Sequence, residues 1–376
     1  MRKIIILYST AGMGHKKAAL ALLDVFKRHK NVQVEAIDVL EYAAPFYRFL
    51  YTDFYVFLMT RAKLLWGAGY WFSNQPLVDF LTKKIRSFLD YRGLSGLEEA
   101  LVKKAPDAVV ATHFFLTSIA DILKKRDKVR AKLFALVTDY GPHSFWLSDS
   151  TDRYFVGADS TLLEFTKRGI PEDKIDVTGI STTEEFRTNF DEDRLREEYG
   201  ADKERKTIFL MTGGFGVGPM EHMLLALNKC RADIQVIAVC GHNKAVYKDI
   251  EILRKKLNYP VILFAFTDKV AELMSISDIM ITKAGGISVT EALDMRLPMI
   301  LFGSIPGQED WNERMLISSG SAKRARKIKD IPVIADEMLL SPGVYGSFKS
   351  AVQKVRRPDA AERIVEIVLG EVSNSG

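Results

Sequence analysis

The residue with the clearest chemical potential is His15, which ends a glycine-containing turn near the start of the chain. The turn includes Gly12 and Gly14, follows the apolar residues 3–8 and leads into a helical pattern over residues 16–29. Glycines at a strand-to-helix turn let a ligand approach the backbone, and a helix N-terminus favours anions. The positive helix end favours a neutral imidazole at His15, although a partly exposed capping histidine fits the same pattern.

This first turn matches neither of the common nucleotide-binding motifs. Lys17 occupies the third glycine position of the dinucleotide fingerprint, and the Gly-Lys-Ser/Thr ending of a P-loop is absent. The turn still lies at the carboxyl end of a predicted strand, where α/β sheets hold their ligands. It is therefore a candidate ligand loop.

A second glycine-rich turn follows the predicted strand at residues 207–211. Four glycines within six positions, among them Gly213, Gly214 and Gly216, precede Pro219 at a helix start. This pattern is typical of a turn that surrounds a phosphate. The spacing again misses the dinucleotide fingerprint, and a turn needed only for packing is the alternative.

A third loop, after the predicted strand 279–282, combines small and charged residues. Glu291 could accept hydrogen bonds from both hydroxyls of a ribose, and Lys283 could meet phosphate charge. The alternative is a capped helix with a solvated glutamate. The residues of this candidate site are Lys283, Gly285, Gly286, Thr290 and Glu291.

A fourth loop, after the next predicted strand, carries Gln308, Glu309 and Asn312. Such side chains suit the hydroxyls of a sugar, although a plain polar loop would have the same composition. Each loop alone is a weak indication. Three such loops at the strand ends of one predicted sheet are a much stronger one.

The elements that position these loops alternate between short β-rich runs and longer helical patterns. Two successive β-α-β series predict an α/β fold with two Rossmann-like, doubly wound parallel sheets. The boundary is expected within residues 179–206, which gives domains 1–180 and 181–376. The predicted strands are residues 3–8, 32–39, 108–112 and 133–138 in the first series, and 207–211, 235–240, 261–264, 279–282 and 299–302 in the second.

The last part of the second domain is expected to be helical. Residues 351–369 have an amphipathic pattern after a predicted turn at residues 343–346, and they could pack back on the first domain. Pro358 should break or kink this helix, because proline lacks the backbone N–H that an interior position requires.

Composition excludes several classes of protein. The chain has 376 residues, of which 47% are hydrophobic and 27% charged, so it is not a disordered, collagen-like or disulfide-based protein. Cys230 and Cys240 are expected to be small core residues. No uncharged apolar stretch reaches the ~18 residues of a membrane span, and the first apolar run is too short for a signal peptide. A reducing, cytoplasmic location is the expectation.

The positive charge and the aromatic residues are concentrated in the first third. The total net charge of +5 is too small to indicate a nucleic-acid partner, but residues 1–132 contain 22 basic and 12 acidic residues. Residues 42–72 contain twelve aromatics within a predicted insertion at 42–92. Aromatic residues combined with basic ones are typical of a membrane element that lies at the interface. The alternative is an aromatic-rich helix packed on the first sheet. The candidate membrane residues are Trp66, Tyr70, Trp71, Phe72, Arg61 and Lys63.

The sequence resembles the monogalactosyldiacylglycerol synthase and processive diacylglycerol glucosyltransferase family over nearly the whole chain. The resemblance rests on the order and spacing of short motifs. These are residues 12–15, 112–114, 137–140 with His143 and Trp146, 152–156, 213–216, 283–286 with 290–292, and 306–309.

The resemblance implies a GT-B enzyme whose two Rossmann-like domains face each other across a cleft. The second domain would bind UDP-glucose or UDP-galactose, with Gly213, Gly214 and Gly216 by the diphosphate and Glu291 on the ribose. Gln308 and Glu309 would contact the hexose. Phe266, which follows strand Val261–Phe264, is a candidate wall for the uracil, or an aromatic core residue.

The first domain would take the lipid acceptor, with diacylglycerol as the expected lipid, at an anionic membrane surface. His15 would be the general base for the acceptor hydroxyl, and Asp139 or His143 would orient it or the acceptor. The acceptor-side residues implied are Gly12, Gly14, His143 and Trp146. The transfer would invert the anomeric centre.

No permanently bound cofactor and no metal are expected. The one Asp-x-Asp string, at residues 191–193, lies in a predicted inter-domain helix away from the sheet edges. Helix N-termini and backbone N–H groups could stabilise the leaving UDP in place of a metal.

The sequence also departs from the family pattern and leaves alternatives. Met13 interrupts a usual glycine triplet, Lys16 and Lys17 replace small or polar residues, and Trp311 is bulky for its loop. A peptidoglycan-type lipid-linked sugar transferase or a UDP-sugar epimerase would share the architecture. A nicotinamide oxidoreductase and a non-catalytic membrane adaptor are rivals of other classes. The choice between glucose and galactose stays open, as do processivity and the oligomeric state.

Overall fold

Two parallel sheets organise the part of the chain that the computed structural model describes, which comprises residues 1–10, 13–54, 62–75, 78, 81–82, 92–214, 216, 218–307 and 309–373. The chain divides into two units, each built on one six-stranded sheet. This confirms the predicted α/β class with two Rossmann-like sheets. The first unit consists of Met1–Thr183, Pro306–Trp311 and Arg357–Gly376, and the second of Glu184–Ile305 and Asn312–Arg356.

The sheet of the first unit has the strand order β2-β1-β3-β4-β5-β6. All neighbouring strands are parallel. Ile4 to Leu7 of β1, an interior strand, are buried, as expected for a parallel sheet whose two faces are both covered. The strands are β1 (Arg2–Tyr8), β2 (Val32–Asp38), β3 (Ala108–Ala111), β4 (Lys132–Leu136), β5 (Arg153–Val156) and β6 (Ile175–Val177).

The sheet of the second unit has the order β12-β11-β10-β7-β8-β9 and is also parallel throughout. Counted within its own series, this is the order 3-2-1-4-5-6 of doubly wound nucleotide-binding sheets. The strands are β7 (Lys206–Met211), β8 (Ile234–Val239), β9 (Val261–Phe264), β10 (Ile279–Thr282), β11 (Met299–Leu301) and β12 (Ala322–Arg324).

Helices cover both sheets and carry the buried side chains that complete the two cores. Their bounds are α1 (Met13–Phe26), α2 (Pro45–Phe49), α3 (Lys63–Ser73), α4 (Ser95–Lys104), α5 (Phe114–Lys125), α6 (Asp159–Lys167), α7 (Glu192–Tyr199), α8 (Met220–Leu227), α9 (Lys244–Leu253), α10 (Val270–Ser275), α11 (Gly286–Asp294), α12 (Asp310–Ser318), α13 (Ile331–Leu340), α14 (Pro342–Val355) and α15 (Ala360–Ser373). Within the described residues, no helix is long and apolar enough to cross a membrane.

Both sheets contain a point at which the strand order reverses. In the first sheet β1 pairs with β2 on one side and β3 on the other, and in the second β7 pairs with β8 and β10. Ligands of such sheets bind beyond the carboxyl ends of the strands at this point. The topology therefore directs attention to the loops after β1 and β3, and to those after β7 and β10.

Several local predictions differ from the structure. The turn predicted at residues 343–346 is wrong, because α14 begins at Pro342 and includes both glycines; proline at the first helical position is preorganised for a helix start. The predicted inter-domain helix, for which the charge-rich residues 184–199 are the basis, is interrupted, because only Glu184–Arg187 and Glu192–Tyr199 are helical. Asp191 ends the interruption, since its side chain accepts a hydrogen bond from the Arg194 N–H at 3.1 Å and caps α7.

The C-terminal helix α15 packs on α1 of the first unit. Pro358 lies in the break between α14 and α15, as its chemistry predicts. Near the end of α15, the Glu371 carboxylate accepts from Lys132 at 2.8 Å and from Arg153 at 2.9 Å. Cys240 is buried in the core of the second unit and Cys230 packs against it, which confirms both as small core residues.

Candidate active site

His15 lies in the first turn of α1, directly beyond the carboxyl end of β1. Its Nδ1 atom is 2.8 Å from the backbone oxygen of Thr112, the residue that follows β3. A carbonyl oxygen only accepts hydrogen bonds, so Nδ1 carries the proton. The lone pair of the neutral ring is consequently on Nε2, which is the nitrogen that could take a proton from a substrate.

A second group meets the same nitrogen. The Thr138 hydroxyl oxygen, from the loop after β4, is 3.0 Å from His15 Nδ1. The His15 ring is thus held from the loops of two strands, β3 and β4, besides its own helix. Both contacting groups are uncharged.

Burial of the ring lowers the pKa of His15 to about 4, and its hydrogen bond to Thr112 opposes that shift. Transfer of a charged imidazolium into a desolvated position costs free energy, so the neutral form is favoured. The His15 ring is therefore neutral at pH 7, as the sequence predicts.

His113 completes the surroundings of His15. The two rings meet edge to face with centroids 4.3 Å apart, and the other side of His113 lies against Phe114 at 4.2 Å. His113 is buried, and this burial together with His15 holds the pKa of His113 well below its usual range. Two neutral histidines thus lie side by side at the switch point of the first sheet.

The predicted acceptor-side residues have different surroundings. Asp139 is half-buried and follows Thr138 in the loop after β4. His143 is buried, its Nδ1 accepts from the Phe145 N–H at 3.2 Å, and its Nε2 is 3.3 Å from the Tyr70 carbonyl oxygen. Nε2 therefore carries the proton and donates to the end of α3. His143 anchors this helix, and the orienting groups at His15 Nδ1 are Thr112 and Thr138.

Two other residues of that set are placed by packing. Trp146 is buried in the core cluster that includes Ala135, Val137 and Tyr154. Gly14 is in the first turn of α1, and Gly12 lies outside the described residues.

The aromatic segment exposes a broad apolar surface on the first unit. In α3, Trp71 and Phe72 are 65% and 59% exposed, whereas Trp66 and Tyr70 are partly buried. Phe46 and Phe49 of α2 are also exposed, while Tyr47 enters the core. The side chain of Lys63 is not described, and Arg61 lies outside the described residues. We refer to Phe46, Phe49, Leu65, Trp71 and Phe72 as the aromatic surface.

In the second unit, the glycine loop after β7 is fixed against the loop after β8. Gly213 and Gly216 have φ angles of +89° and +56°, which L side chains rarely adopt. A Cβ at Gly216 would be 2.0 Å from the Cys240 oxygen, and one at Gly241 would be 2.3 Å from the Gly214 oxygen. Only glycine permits this close approach of the two backbones. Gly214, in the same loop, is exposed.

A positive charge lies beside this loop. The side chain of Lys283, just after β10, passes so close to Gly213 that a Cβ there would be 3.2 Å from Lys283 Cε. The hydroxyl oxygen of Thr212 is buried beneath the loop, and no hydrogen-bond partner for it occurs among the described residues. Lysine, hydroxyl and exposed backbone together suit a diphosphate.

The predicted ribose-binding helix is α11, which begins at Gly286 after Gly285. Thr290 donates its hydroxyl to the Gly286 oxygen at 2.7 Å, so this side chain serves the helix itself. Glu291 is only 1% exposed. The alternative of a solvated glutamate is therefore excluded, and ribose binding by Glu291 stays a prediction.

The candidate uracil wall is part of an aromatic pair. Phe266, after β9, is 54% exposed and stacks on His242, with ring centroids 4.3 Å apart and an interplanar angle of 16°. Phe266 is therefore not a core residue. His242 belongs to no recognised motif, although the residues after the predicted strand 235–240 lie at the same edge of the sheet as the glycine loop.

The predicted hexose-binding residues divide between the units. Glu309 is buried and belongs to the segment Pro306–Trp311 of the first unit. Asn312 begins the next segment of the second unit, and its Nδ2 donates to the Ala284 oxygen at 2.8 Å. Gln308 lies outside the described residues. Asn312 thus joins α12 to the loop after β10, and sugar contact by these residues stays a prediction.

The carboxylates of residues 191–193 cap and begin α7, away from the strand ends. In the described part of the chain, no three His, Cys, Asp or Glu side chains come together as a set of metal ligands.

Known proteins resemble both halves of the chain. Residues 15–182 match the monogalactosyldiacylglycerol (MGDG) synthase family, and residues 207–315 match the glycosyltransferase family 28 C-terminal domain. A processive diacylglycerol beta-glucosyltransferase of Bacillus cereus is 28% identical over 370 residues, which cover 98% of this chain and 94% of the relative.

Solved structures resemble the whole fold. MurG of Acinetobacter baumannii superposes with a TM-score of 0.66 at 12% identity, over 98% of this chain and 100% of that one. UDP-GlcNAc 2-epimerase of Neisseria meningitidis, bound to UDP-GlcNAc, has a TM-score of 0.65 at 17% identity, over the same shares of the two chains. At these identities the likeness bears on the fold alone.

The two Rossmann-like sheets, with candidate ligand loops at both switch points and a family 28 domain in the second half, define a glycosyltransferase of the GT-B class. Within that class, residues 15–182 are a monogalactosyldiacylglycerol synthase family domain, and the chain as a whole is similar to processive diacylglycerol glucosyltransferases. The resemblance drawn from the short motifs is thereby confirmed for family, fold and enzyme class.

Proposed function

We propose that this enzyme transfers a hexose from UDP-glucose or UDP-galactose to the hydroxyl of diacylglycerol. The observation that carries the proposal is the neutral His15 with its Nε2 lone pair at the switch point of the first sheet. His15 is the first residue of the segment that matches the MGDG synthase family. The name of the Bacillus cereus relative supports diacylglycerol as the acceptor.

His15 acts as the general base in this account. Its Nε2 takes the proton of the acceptor hydroxyl while the oxygen attacks the anomeric carbon, and the bond from that carbon to the UDP oxygen breaks. Attack opposite to the leaving group inverts the anomeric configuration. General-base assistance contributes roughly 10²–10⁴-fold to the rate.

The second unit binds the UDP-sugar and stabilises the charge that develops on UDP. Lys283 lies beside the glycine loop, and preorganised cations and N–H groups act most strongly where charge appears in the transition state. Uracil stacks on the Phe266–His242 pair in this proposal, which the exposure of Phe266 supports. Bound UDP-GlcNAc in the Neisseria meningitidis epimerase, which shares this fold, supports a UDP-sugar as the donor.

Neither a metal nor a permanently bound cofactor takes part in the proposed reaction. His15 receives the acceptor proton, and Lys283 with the loop after β7 faces the diphosphate charge. Apart from the N–H bond that forms at His15 Nε2, the bonds that form or break belong to the two substrates, and no atom changes its oxidation state overall.

The aromatic surface docks the enzyme on the cytoplasmic face of an anionic membrane, where its lipid acceptor resides. Exposed Trp and Phe side chains favour the interfacial region of a bilayer. The excess of basic residues over acidic ones in residues 1–132 adds electrostatic attraction, at about 1 kcal/mol for each Lys or Arg near the surface.

The direct test is to incubate the enzyme with UDP-glucose or UDP-galactose and liposomes that contain diacylglycerol, and to identify the lipid product and its anomeric configuration. We expect a hexosyl-diacylglycerol with inverted configuration from one of the two donors. A product on another acceptor, or interconversion of the free UDP-sugar without transfer, would contradict the proposal and favour the peptidoglycan-type or epimerase alternative.

A further inference from the structure

Among the described residues, no carboxylate meets the Nδ1 atom of the His15 ring. The groups that meet Nδ1 are the Thr112 carbonyl oxygen at 2.8 Å and the Thr138 hydroxyl oxygen at 3.0 Å. Catalytic histidines often have an acidic partner at this nitrogen, which fixes the tautomer and also stabilises the protonated ring. Here both partners are neutral, so they can fix the tautomer without that electrostatic stabilisation.

Thr112 is built into the sheet and into α1 at once. Its N–H donates to the Leu7 oxygen at 3.0 Å, and its hydroxyl is 3.2 Å from the Leu7 oxygen and 3.1 Å from the His15 oxygen. The residue is fully buried. The carbonyl that accepts from His15 is therefore held in place by β1 and by the first turn of the helix that carries His15.

Thr138 contributes through its side chain. It is buried after the end of β4, and its hydroxyl oxygen lies 3.0 Å from the same Nδ1 atom that the Thr112 carbonyl meets. In the Nδ1-protonated tautomer, the proton has two oxygens within reach that can accept it. If the ring changed tautomer in place, an unprotonated Nδ1 would face the Thr112 oxygen at hydrogen-bond distance, which is repulsive.

We infer that Thr138 is a positioning residue that, together with the Thr112 carbonyl, holds His15 in the Nδ1-protonated tautomer with Nε2 directed to the acceptor. This inference rests on the proposed role of His15 as the general base. It assigns to a threonine pair the orienting task that the sequence alone gave to Asp139 or His143. Thr138 touches no substrate in this account and acts through His15.

The neutral partners also explain how the base avoids protonation. A carboxylate at Nδ1 would favour the imidazolium and raise the pKa of His15, whereas a carbonyl and a hydroxyl do so far less. The titratable neighbours are His113, in ring contact, Lys16 and Lys17 on the same helix, and Asp139, adjacent to Thr138 in the chain. The His15 ring therefore stays neutral at neutral pH, and its Nε2 atom can accept a proton.

The test uses the full-length enzyme labelled with ¹⁵N-histidine, which gives six imidazoles. Long-range ¹H–¹⁵N spectra distinguish protonated from unprotonated ring nitrogens, and His15→Ala assigns the His15 signals. We expect protonated Nδ1 and unprotonated Nε2 in the wild type. Signals of the opposite tautomer would overturn the inference, whatever the activity of the enzyme.

Variants test the contribution of Thr138. Thr138→Val removes the hydroxyl at nearly constant volume and should introduce the second tautomer and lower kcat about tenfold at unchanged KM for the donor, as for loss of one hydrogen bond. Thr138→Ser should restore both. Thr178→Val, at another buried threonine of the first unit, is the matched control and should change neither.

The outcomes separate this inference from the proposed function. Unchanged ring signals and unchanged kcat in Thr138→Val would overturn the positioning role. A tautomer shift in Thr138→Val, combined with full activity of His15→Ala, would support the positioning of the ring and contradict its role as the base.

Discussion

The Nδ1 atom of His15 and the backbone oxygen of Thr112, 97 positions apart in the chain, are 2.8 Å from each other. This hydrogen bond links the first turn of α1, which follows β1, to the end of the neighbouring strand β3, at the point where the strand order of the first sheet reverses. It also decides the chemistry of the imidazole, because a proton on Nδ1 leaves Nε2 free to act as a base.

The pH dependence of turnover follows from the environment of His15. Because burial lowers the pKa of His15 to about 4, the acid limb of kcat/KM should have its midpoint near pH 4, well below the ordinary histidine value of 6.5. The kcat/KM profile reports the free enzyme, so it is the quantity to measure. A limb centred at 6.5 would show that the ring is solvated or paired with an acid.

The same shift affects stability, with a defined sign. His15 binds a proton more weakly when folded than when unfolded, so the unfolded state binds more protons in the window between 6.5 and about 4. Its contribution to the free energy of unfolding is present above 6.5 and is lost as pH falls towards 4. In urea titrations, His15→Gln should flatten this part of the pH dependence, whereas replacement of the exposed His29 should not.

Lys283 is expected to serve the donor and not the acceptor. Lys283→Gln removes the positive charge beside Gly213, and should raise the donor KM and the Kd of UDP about tenfold or more while the acceptor KM stays constant. Isothermal titration with UDP and initial rates at varied acceptor supply the two readouts. Lys248→Gln, at an exposed lysine of the same unit, is the control.

A related prediction is that the enzyme needs no metal ion to stabilise the charge on the departing UDP. Addition of EDTA to the assay should leave the initial rate unchanged. A loss of turnover that Mg²⁺ or Mn²⁺ restores would contradict that account, and would leave the donor role of Lys283 to be judged from UDP binding.

Phe266 is expected to bind the uracil by stacking. Phe266→Ala should weaken UDP binding by roughly tenfold, and Phe266→Tyr should retain it, because aromatic stacking on a base is worth about 1–3 kcal/mol. The exposed Ile252, replaced by alanine, controls for loss of surface apolar area in the same unit. Equal affinities of Phe266→Ala and wild type for UDP would remove the stacking role.

The strand-end loops could be located from sequence because buried parallel strands have a simple apolar pattern, and their carboxyl ends share one edge. Some short strands could not be predicted, because prediction depends on that apolar pattern. Strands β5, β6 and β12 have three or four residues and include Arg153, Asp176 and Lys323, so none of them has more than three consecutive apolar residues. The sheet topology that brings β3 beside β1 was likewise not readable from local pattern.

The partners of His15 depend on tertiary contacts that no local pattern encodes. Thr112 and Thr138 are 97 and 123 positions from His15, and only the order of β1, β3 and β4 brings them together. Asp139 and His143 were the expected orienting groups, because their side chains form stronger hydrogen bonds than a threonine hydroxyl does. The tertiary structure directs His143 to the end of α3, where it bonds with Tyr70.

The aromatic surface gives a prediction for membrane binding. Trp71→Ala combined with Phe72→Ala removes two exposed rings and should reduce pelleting with anionic vesicles several-fold, since burial of a large apolar side chain is worth about 1.5–3 kcal/mol. Pelleting by the wild type should also fall with added salt. Leu163→Ala, at an exposed leucine of the same unit, is the control.

Equal pelleting with and without anionic lipid would remove the electrostatic part of the docking account. Unchanged pelleting of the double variant would remove the aromatic surface from it. In either case the proposed roles of His15 and Lys283 would be unaffected, because His15 transfers a proton and Lys283 binds the UDP-sugar, and neither role depends on the aromatic surface.

The most direct measurement compares wild type and His15→Ala for hexose transfer from the UDP-sugar to diacylglycerol liposomes, with UDP affinity and thermal unfolding measured on the same preparations. The account predicts that kcat falls by roughly 10²–10⁴-fold, as for loss of a general base, while the Kd of UDP and the folded fraction stay close to the wild-type values. Full transfer activity in a folded His15→Ala enzyme would contradict it.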